Sequence, residues 1–323
     1  MRAVMFDRYG DESVLSVREI AIPVPGPNEV QVKVQVASLN PVDFKLRSGM
    51  LKLFRKPRLP AITGKDFAGQ ITALGANVSG FAVGQRVFGS VSTMQGNGAC
   101  AEVIVTDADT ISATPAGISD TVAACLPVAS GTALQALLTI AQLRQGQSVL
   151  ITGASGGVGS SGVQIARSVG AHITGVCSTV NVDYVRSIGA DEVLDYRTTD
   201  WRRPGKIYDV IFDAAGASSF SEARKYLAPA GYYINTFPGL AMFLSCKVVT
   251  LFSGQHSVPF MLKNTVASLQ ELARLARQGV LQPRIAETVD MEGVAGAQRR
   301  MQEGRVHGKV CVRVDVDVHP ARE

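Results

Sequence analysis

Ser148-Val149-Leu150-Ile151-Thr152-Gly153-Ala154-Ser155-Gly156-Gly157-Val158-Gly159 is the stretch whose reading decides the fold. Its first five residues form a short apolar, β-branched run of the kind that makes a fully buried strand. A turn holding Gly153, Gly156, Gly157 and Gly159 follows, and beyond it Val163, Ile165, Ala166 and Val169 recur at helical spacing. Strand, glycine turn and helix in that order predict a dinucleotide site. Glycine lets the backbone turn tightly and approach a pyrophosphate, and the helix N-terminus offers N–H groups to the phosphates. The fingerprint positions fall on Ala154, Gly156 and Gly159, so alanine replaces the first glycine. A phosphate-cradling P-loop would continue into Gly-Lys-Ser/Thr, whereas Ser160-Ser161 follow here.

Downstream the rhythm repeats. Strands are predicted at 171–176, 192–195, 208–212 and 232–235, with helices at 182–188 and 219–227 between them. A helical, apolar segment over 120–142 leads into the opening strand. Alternating strands and helices define an α/β, doubly wound parallel sheet. At the end of its second strand an NAD site carries an acid for the ribose 2′-hydroxyl. This chain has Cys177-Ser178-Thr179-Val180-Asn181 there, small hydrogen-bonding side chains and no carboxylate, with Arg186 and Tyr196 within reach along the chain. NADPH is therefore the expected cofactor.

The first 115 residues read differently. Val30, Val32, Val34 and Val36 alternate with Gln31, Lys33 and Gln35, a half-buried strand. Further strands are predicted at 67–74, 86–90 and 101–106, as in a compact, partly open β-barrel. After a helix at 265–278 a final strand around 307–312 is expected to rejoin this domain. The boundaries that follow are 1–119 plus 260–323 for the β-rich domain and 120–259 for the inserted nucleotide-binding sheet. In the first domain Asn40 and Asp43 suit either a ligand or the cap of a helix starting near Phe44. Lys65 beside Asp66 reads on its own as an ion pair on a surface loop.

Composition narrows the class. The chain of 323 residues is 46% hydrophobic and 18% charged with a net charge of +5, which suits a globular protein. The basic clusters (Lys52, Arg55, Lys56 and Arg58; Arg202 and Arg203) read as solvated faces, and no nucleic-acid motif accompanies them. Five scattered cysteines without C-x-x-C suggest neither zinc nor a disulfide framework. The four histidines are dispersed and read as ordinary. With no apolar run of signal-peptide or membrane-helix length, a cytoplasmic protein is expected.

The ordered motifs resemble the medium-chain dehydrogenase/reductase superfamily, in particular its zinc-independent quinone oxidoreductase (zeta-crystallin-like) branch. They are Asn40-Pro41-x-Asp43 with Arg47-x-Gly49, Gly64-x-Asp66-x-Ala68-Gly69, Ala154-x-Gly156-Gly157-Val158-Gly159, Gly189-Ala190-Asp191-Glu192-Val193-x-Asp195-Tyr196, Tyr208-Asp209-Val210-Ile211-Phe212-Asp213 and Gly308-Lys309-Val310. The resemblance implies a GroES-like domain carrying an inserted Rossmann domain. It implies metal-free hydride transfer from NADPH to quinones or α,β-unsaturated carbonyls. Where zinc-containing relatives carry a cysteine ligand and Gly-His-Glu, this chain has Asn40 and Gly64-Lys65-Asp66.

By the same resemblance Asn40, Lys65 and Thr132 belong at the reacting end. Ala154, Ser155, Gly156, Gly157, Val158 and Gly159 would hold the pyrophosphate, and Ser178, Thr179, Asn181 and Tyr196 the 2′-phosphate. Asn235, Thr236, Phe237 and Lys309 would lie near the rest of the cofactor. A homodimer paired through the sheet edge at 232–244 is also implied. An enoyl-thioester reductase and an NADPH-binding protein without turnover are the alternatives.

Overall fold

A computed structural model describes residues 1–52, 56–203, 205–236 and 254–314. The chain forms two compact units: Met1–Val128, Asn264–Gln278 and Pro283–Glu323 make the first, and Ala129–Lys263 with Gly279–Gln282 the second.

The first unit is built on β3 (Glu29–Leu39), the longest of its strands. Beside it run β5 (Asp66–Leu74), β6 (Arg86–Ser90) and β8 (Ile111–Ala113) on one side, and β16 (Lys309–Arg313) and β15 (Ile285–Val289) on the other. β7 (Val103–Asp107) also pairs with β3, along Glu29 to Lys33. A smaller sheet joins β1 (Arg2–Phe6) to β2 (Ser16–Glu19) and β4 (Ala61–Ile62). Val30, Val32 and Val34 are fully buried, as the alternation requires, but Val36 is not. The pairing of β3 with β5 shifts between Val34 and Val36, a bulge that moves the buried set to Ala37 and Leu39. Gly69 makes the close approach possible: a Cβ there would lie 2.1 Å from the Lys33 carbonyl oxygen. The bulge thus sets the phase in which the strand delivers Ser38 and Asn40.

In the second unit, β9 (Ser148–Thr152), β10 (His172–Cys177), β11 (Glu192–Asp195), β12 (Tyr208–Asp213), β13 (Leu227–Asn235) and β14 (His256–Pro259) form a parallel sheet. The order β11-β10-β9-β12-β13-β14 reverses direction of growth beside β9, the switch point at which such sheets bind dinucleotides. β14 had no clear signal, since His256-Ser257-Val258-Pro259 is too short to show periodicity. It pairs with β13 along Tyr232 to Asn235. Among the described residues, then, this side of the sheet ends at 256–259, and the strand at 232–235 expected at the edge is internal; residues 237–244 of that call lie outside the described residues.

The helical stretch at 120–142 is also less regular than its composition suggests. After Asp120–Ala124 the turns widen at Leu126–Ser130 and again at Gln135–Ile140, flanking a short α-helical turn at Gly131–Leu134. Such wide turns interrupt the ordinary helical ladder. Here Pro127 has no N–H to give, and the next one, of Val128, donates to Asp66 at 3.1 Å instead.

Candidate functional site

In the first unit, four side chains converge below the end of β3. Pro41–Arg47 forms helix α1, entered by Asn40, and the Asp43 carboxylate caps it by accepting the Asn40 N–H at 2.7 Å. The Asn40 side chain is free for another task. Its Oδ1 accepts from Lys309 Nζ at 2.6 Å and its Nδ2 donates to Asp66 Oδ2 at 2.9 Å. Lys309 also donates to the Leu39 carbonyl at 3.0 Å and stands 3.9 Å from Asp66. Asn40, Asp43, Asp66 and Lys309 are all buried.

Burial raises the Asp43 carboxyl to about 7, and the nearby Asp66 charge adds to the shift while Lys309 and Lys65 oppose it. Burial likewise raises Asp66 to about 6, against the pull of Lys309 and the Asn40 amide. One oxygen of each carboxyl (Oδ1) is buried with no hydrogen-bond partner among the described residues. The cluster can therefore hold a proton near neutral pH.

The linkage has a measurable sign. Folded Asp43 keeps its proton up to about 7, while an unfolded aspartate loses it near 3.9, so folding is favoured less as the pH rises across that window. An Asp43→Asn variant can accept the same Asn40 N–H but cannot ionise. Its melting temperature relative to wild type should shift upward between about pH 5 and about pH 8. A gap independent of pH would show that Asp43 is not the titrating group.

Lys65 differs from the expected loop ion pair. Its Nζ donates to the Val91 carbonyl at 3.2 Å, and its neighbour Asp66 points inward as the first residue of β5.

The donor set does not fit zinc. The Asn40 amide is committed to Lys309 and Asp66, and an ammonium group already stands beside the carboxylate. Among the described residues no three His, Cys, Asp or Glu side chains are grouped closely enough to hold a metal ion.

In the second unit the expected cofactor residues gather at the C-terminal ends of the parallel strands. Gly153 turns with φ of 62°, and α4 (Gly157–Ser168) starts with no side chain capping its N-terminus. Those uncapped N–H groups and the positive helix end suit a pyrophosphate. Ala154 is fully buried and donates its N–H to the Val176 carbonyl at 2.9 Å. The side chain has room because Gly175 faces it: a Cβ on Gly175 would come within 3.2 Å of the Ala154 Cβ. Ser155 lies in the same turn, buried. The glycine turn and the uncapped start of α4 fit a nicotinamide dinucleotide.

Ser178, Thr179 and Asn181 follow β10, and Tyr196 follows β11 with its N–H bonded to the Cys177 carbonyl at 3.0 Å. Asn181 is buried and donates to Ser178 Oγ at 3.0 Å, while Tyr196 is exposed. No carboxylate lies in Cys177–Asn181 itself, but one stands beside it from the neighbouring strand: Asp195, the last residue of β11, pairs with Cys177 across the β10–β11 ladder and accepts the Thr179 hydroxyl at 2.6 Å.

Asn235 ends β13 and Thr236 follows it, beside Asp213, which the sequence shows only as the end of a strand motif. The buried Asp213 carboxylate accepts from Thr152 Oγ1 at 2.5 Å, from the N–H groups of Ala217 and Ser218, and from the Tyr233 hydroxyl at 3.2 Å. Asn235 Nδ2 donates to the same Tyr233 hydroxyl at 3.0 Å. Asp213 so pins the loop after β12 to the ends of β9 and β13. Thr132 is buried in the turn Gly131–Leu134 of this unit, next to the contact of Ser130 with Ser161 on α4 at 2.9 Å. Phe237 lies outside the described residues. Asn40, Lys65 and Lys309 thus share one unit, and Thr132 and the remaining site residues the other.

Residues 26–132 match the alcohol dehydrogenase GroES-like domain and residues 188–312 the zinc-binding dehydrogenase family. A chloroplast envelope quinone oxidoreductase homolog of Arabidopsis thaliana is 33% identical over 97% of this chain and 98% of its own length. The trans-enoyl reductase pgmF of Aspergillus terreus is 32% identical, covering 90% of this chain and 87% of its own. The quinone oxidoreductase of Coxiella burnetii superposes with a TM-score of 0.89 at 27% identity, covering 98% of this chain and 99% of that one. Two-unit architecture, glycine turn and these likenesses together define a nicotinamide-dependent oxidoreductase. The chain belongs to the medium-chain dehydrogenase/reductase family, in its quinone oxidoreductase-like branch.

Proposed function

We propose that the protein is an NADPH-dependent reductase of quinones and α,β-unsaturated carbonyl compounds that works without a metal. What supports this reading is the cluster of Asn40, Lys309, Asp66 and Asp43, in which, by the family resemblance, Asn40 takes the place of a cysteine ligand of zinc-dependent relatives. An unpolarised alcohol or ketone gains nothing there. An acceptor that is already electron-poor needs only positioning and a proton. When bound, NADPH supplies the hydride. Residues 154–159 hold the pyrophosphate, Ser178, Thr179, Asn181 and Tyr196 face the adenosine ribose, and Asn235, Thr236 and Lys309 serve the nicotinamide end. Asn40, Lys65 and Thr132 orient the reacting groups, with Asn40 fixed by its bonds to Lys309 and Asp66.

The trans-enoyl reductase relative favours a second reading, reduction of an enoyl thioester. Loss of the NADPH absorbance band in stopped-flow mixing separates the two. Turnover with free enones and naphthoquinones is expected, and turnover only with acyl-carrier thioesters would favour the second reading. Tight NADPH binding with no hydride transfer to any of them would mean a binding protein. We place the enzyme in the cytoplasm as a homodimer; the free thiols of Cys100, Cys125, Cys177 and Cys311 suit a reducing compartment. Among the described residues no helix is long and apolar enough to cross a membrane.

A further inference from the structure

The end of β10 carries no acid of its own, yet the sheet brings one to it. Asp195, the last residue of β11, lies opposite Cys177 in the parallel ladder. Its Oδ2 accepts the Thr179 hydroxyl at 2.6 Å and its Oδ1 the Arg197 N–H at 2.9 Å. The Thr179 bond above all, with the Arg197 N–H and guanidinium, holds this carboxyl below the ordinary range, so it is charged at neutral pH. In sheets of this order, an acid ending the second strand accepts the ribose 2′-hydroxyl of NADH and repels the 2′-phosphate of NADPH. Here the same charge arrives from the neighbouring strand.

Asp195 has a second effect. A threonine hydroxyl carries one proton, and Asp195 takes it, so Thr179 has none to donate to a phosphate oxygen. Ser178, Tyr196 and the exposed Arg197 are left to receive the 2′-phosphate.

We infer that Asp195 sets how the enzyme divides its use between NADPH and NADH, holding the preference for NADPH down and keeping NADH as a usable donor. The inference rests on the NADPH reading above and refines it: Ser178, Tyr196 and Arg197 admit the phosphate while Asp195 opposes it.

Fluorescence titration of the full-length protein with NADPH and with NADH tests this, on wild type, Asp195→Asn and Thr179→Val, at low and high salt. Asp195→Asn should tighten NADPH on the order of tenfold, the scale of one unit charge acting in a partly exposed site, and should not tighten NADH. The gain should shrink at high salt, because the repulsion it removes is screened. Thr179→Val breaks the same hydrogen bond but keeps the carboxylate, so it should give no such gain. Equal shifts of both cofactors, or the same shift in both variants, would reduce Asp195 to a structural tie and overturn the inference. Wild type that binds NADH alone, with NADPH admitted by Asp195→Asn, would refute NADPH as the native donor and uphold the role of Asp195. Binding of neither cofactor by any of the three proteins would overturn both readings.

Discussion

Gly159→Ala should abolish measurable cofactor binding and lower the stability of the nucleotide-binding unit by about 1–3 kcal/mol, the usual cost of overpacking. The alanine Cβ would lie 2.2 Å from the Gly153 carbonyl oxygen and 2.8 Å from the Ala154 Cα. Both neighbours are backbone of the turn itself, so no side-chain rotation relieves the clash and the turn must open. Gly156→Ala is the informative companion. Its Cβ would stand 3.3 Å from the same oxygen, at an ordinary φ of −76°. That variant should keep its melting temperature and still lose cofactor affinity, since the proposed function puts this position against the pyrophosphate. Fluorescence titration and thermal melts on the two variants decide the matter. Gly159→Ala protein that bound NADPH within about tenfold of wild type would remove the turn from the site.

Lys309→Met should be the most damaging single change in the other unit, at about 3–5 kcal/mol, the range for removing one partner of a buried pair. It deprives Asn40 Oδ1 and the Leu39 carbonyl of their donor and leaves Asp66 without its cation. The loss should depend on pH. The Asp66 carboxyl, raised to about 6, carries its charge above that value and is neutral below it. Urea unfolding should therefore show the full penalty near pH 8 and a smaller one near pH 5. Asp66→Asn in the Lys309→Met background should recover part of it, since the uncompensated charge is gone. A penalty unaffected by pH and by the second substitution would mean that only packing was lost.

The nucleotide-binding unit was largely legible because its signals are local. β9, its glycine turn and α4 are contiguous, and β10 to β13 each carry their own apolar run. What escaped lies across strands. The meeting of Asp195 with Thr179 depends on the β10–β11 register, and from the chain alone Asp195 is only the end of the next strand. The bulge in β3 has no composition signature apart from Gly69, yet it decides which face Ala37 and Leu39 occupy. Asn40 and Asp43 were recognisable as a pair, but the division of labour between them was not. Asp43 caps the helix while Asn40 turns to Lys309, a residue brought in by the β16–β3 pairing.

That pairing also bears on how the protein is made. β16 pairs with β3 through Val310 and Leu39, far apart along the chain, so the long sheet of the first unit cannot close until β16 has left the ribosome. The second unit is encoded in one nearly continuous run, Ala129–Lys263, and its neighbouring strands follow at short separations. It can fold during synthesis, while the first unit waits with Val36 to Leu39 of β3 unpaired on one edge. Asp66 stays without Lys309 for the same interval, so until β16 is made the nascent chain gains little from burying that carboxylate. Final assembly of the Asn40 cluster is thereby tied to the emergence of β16.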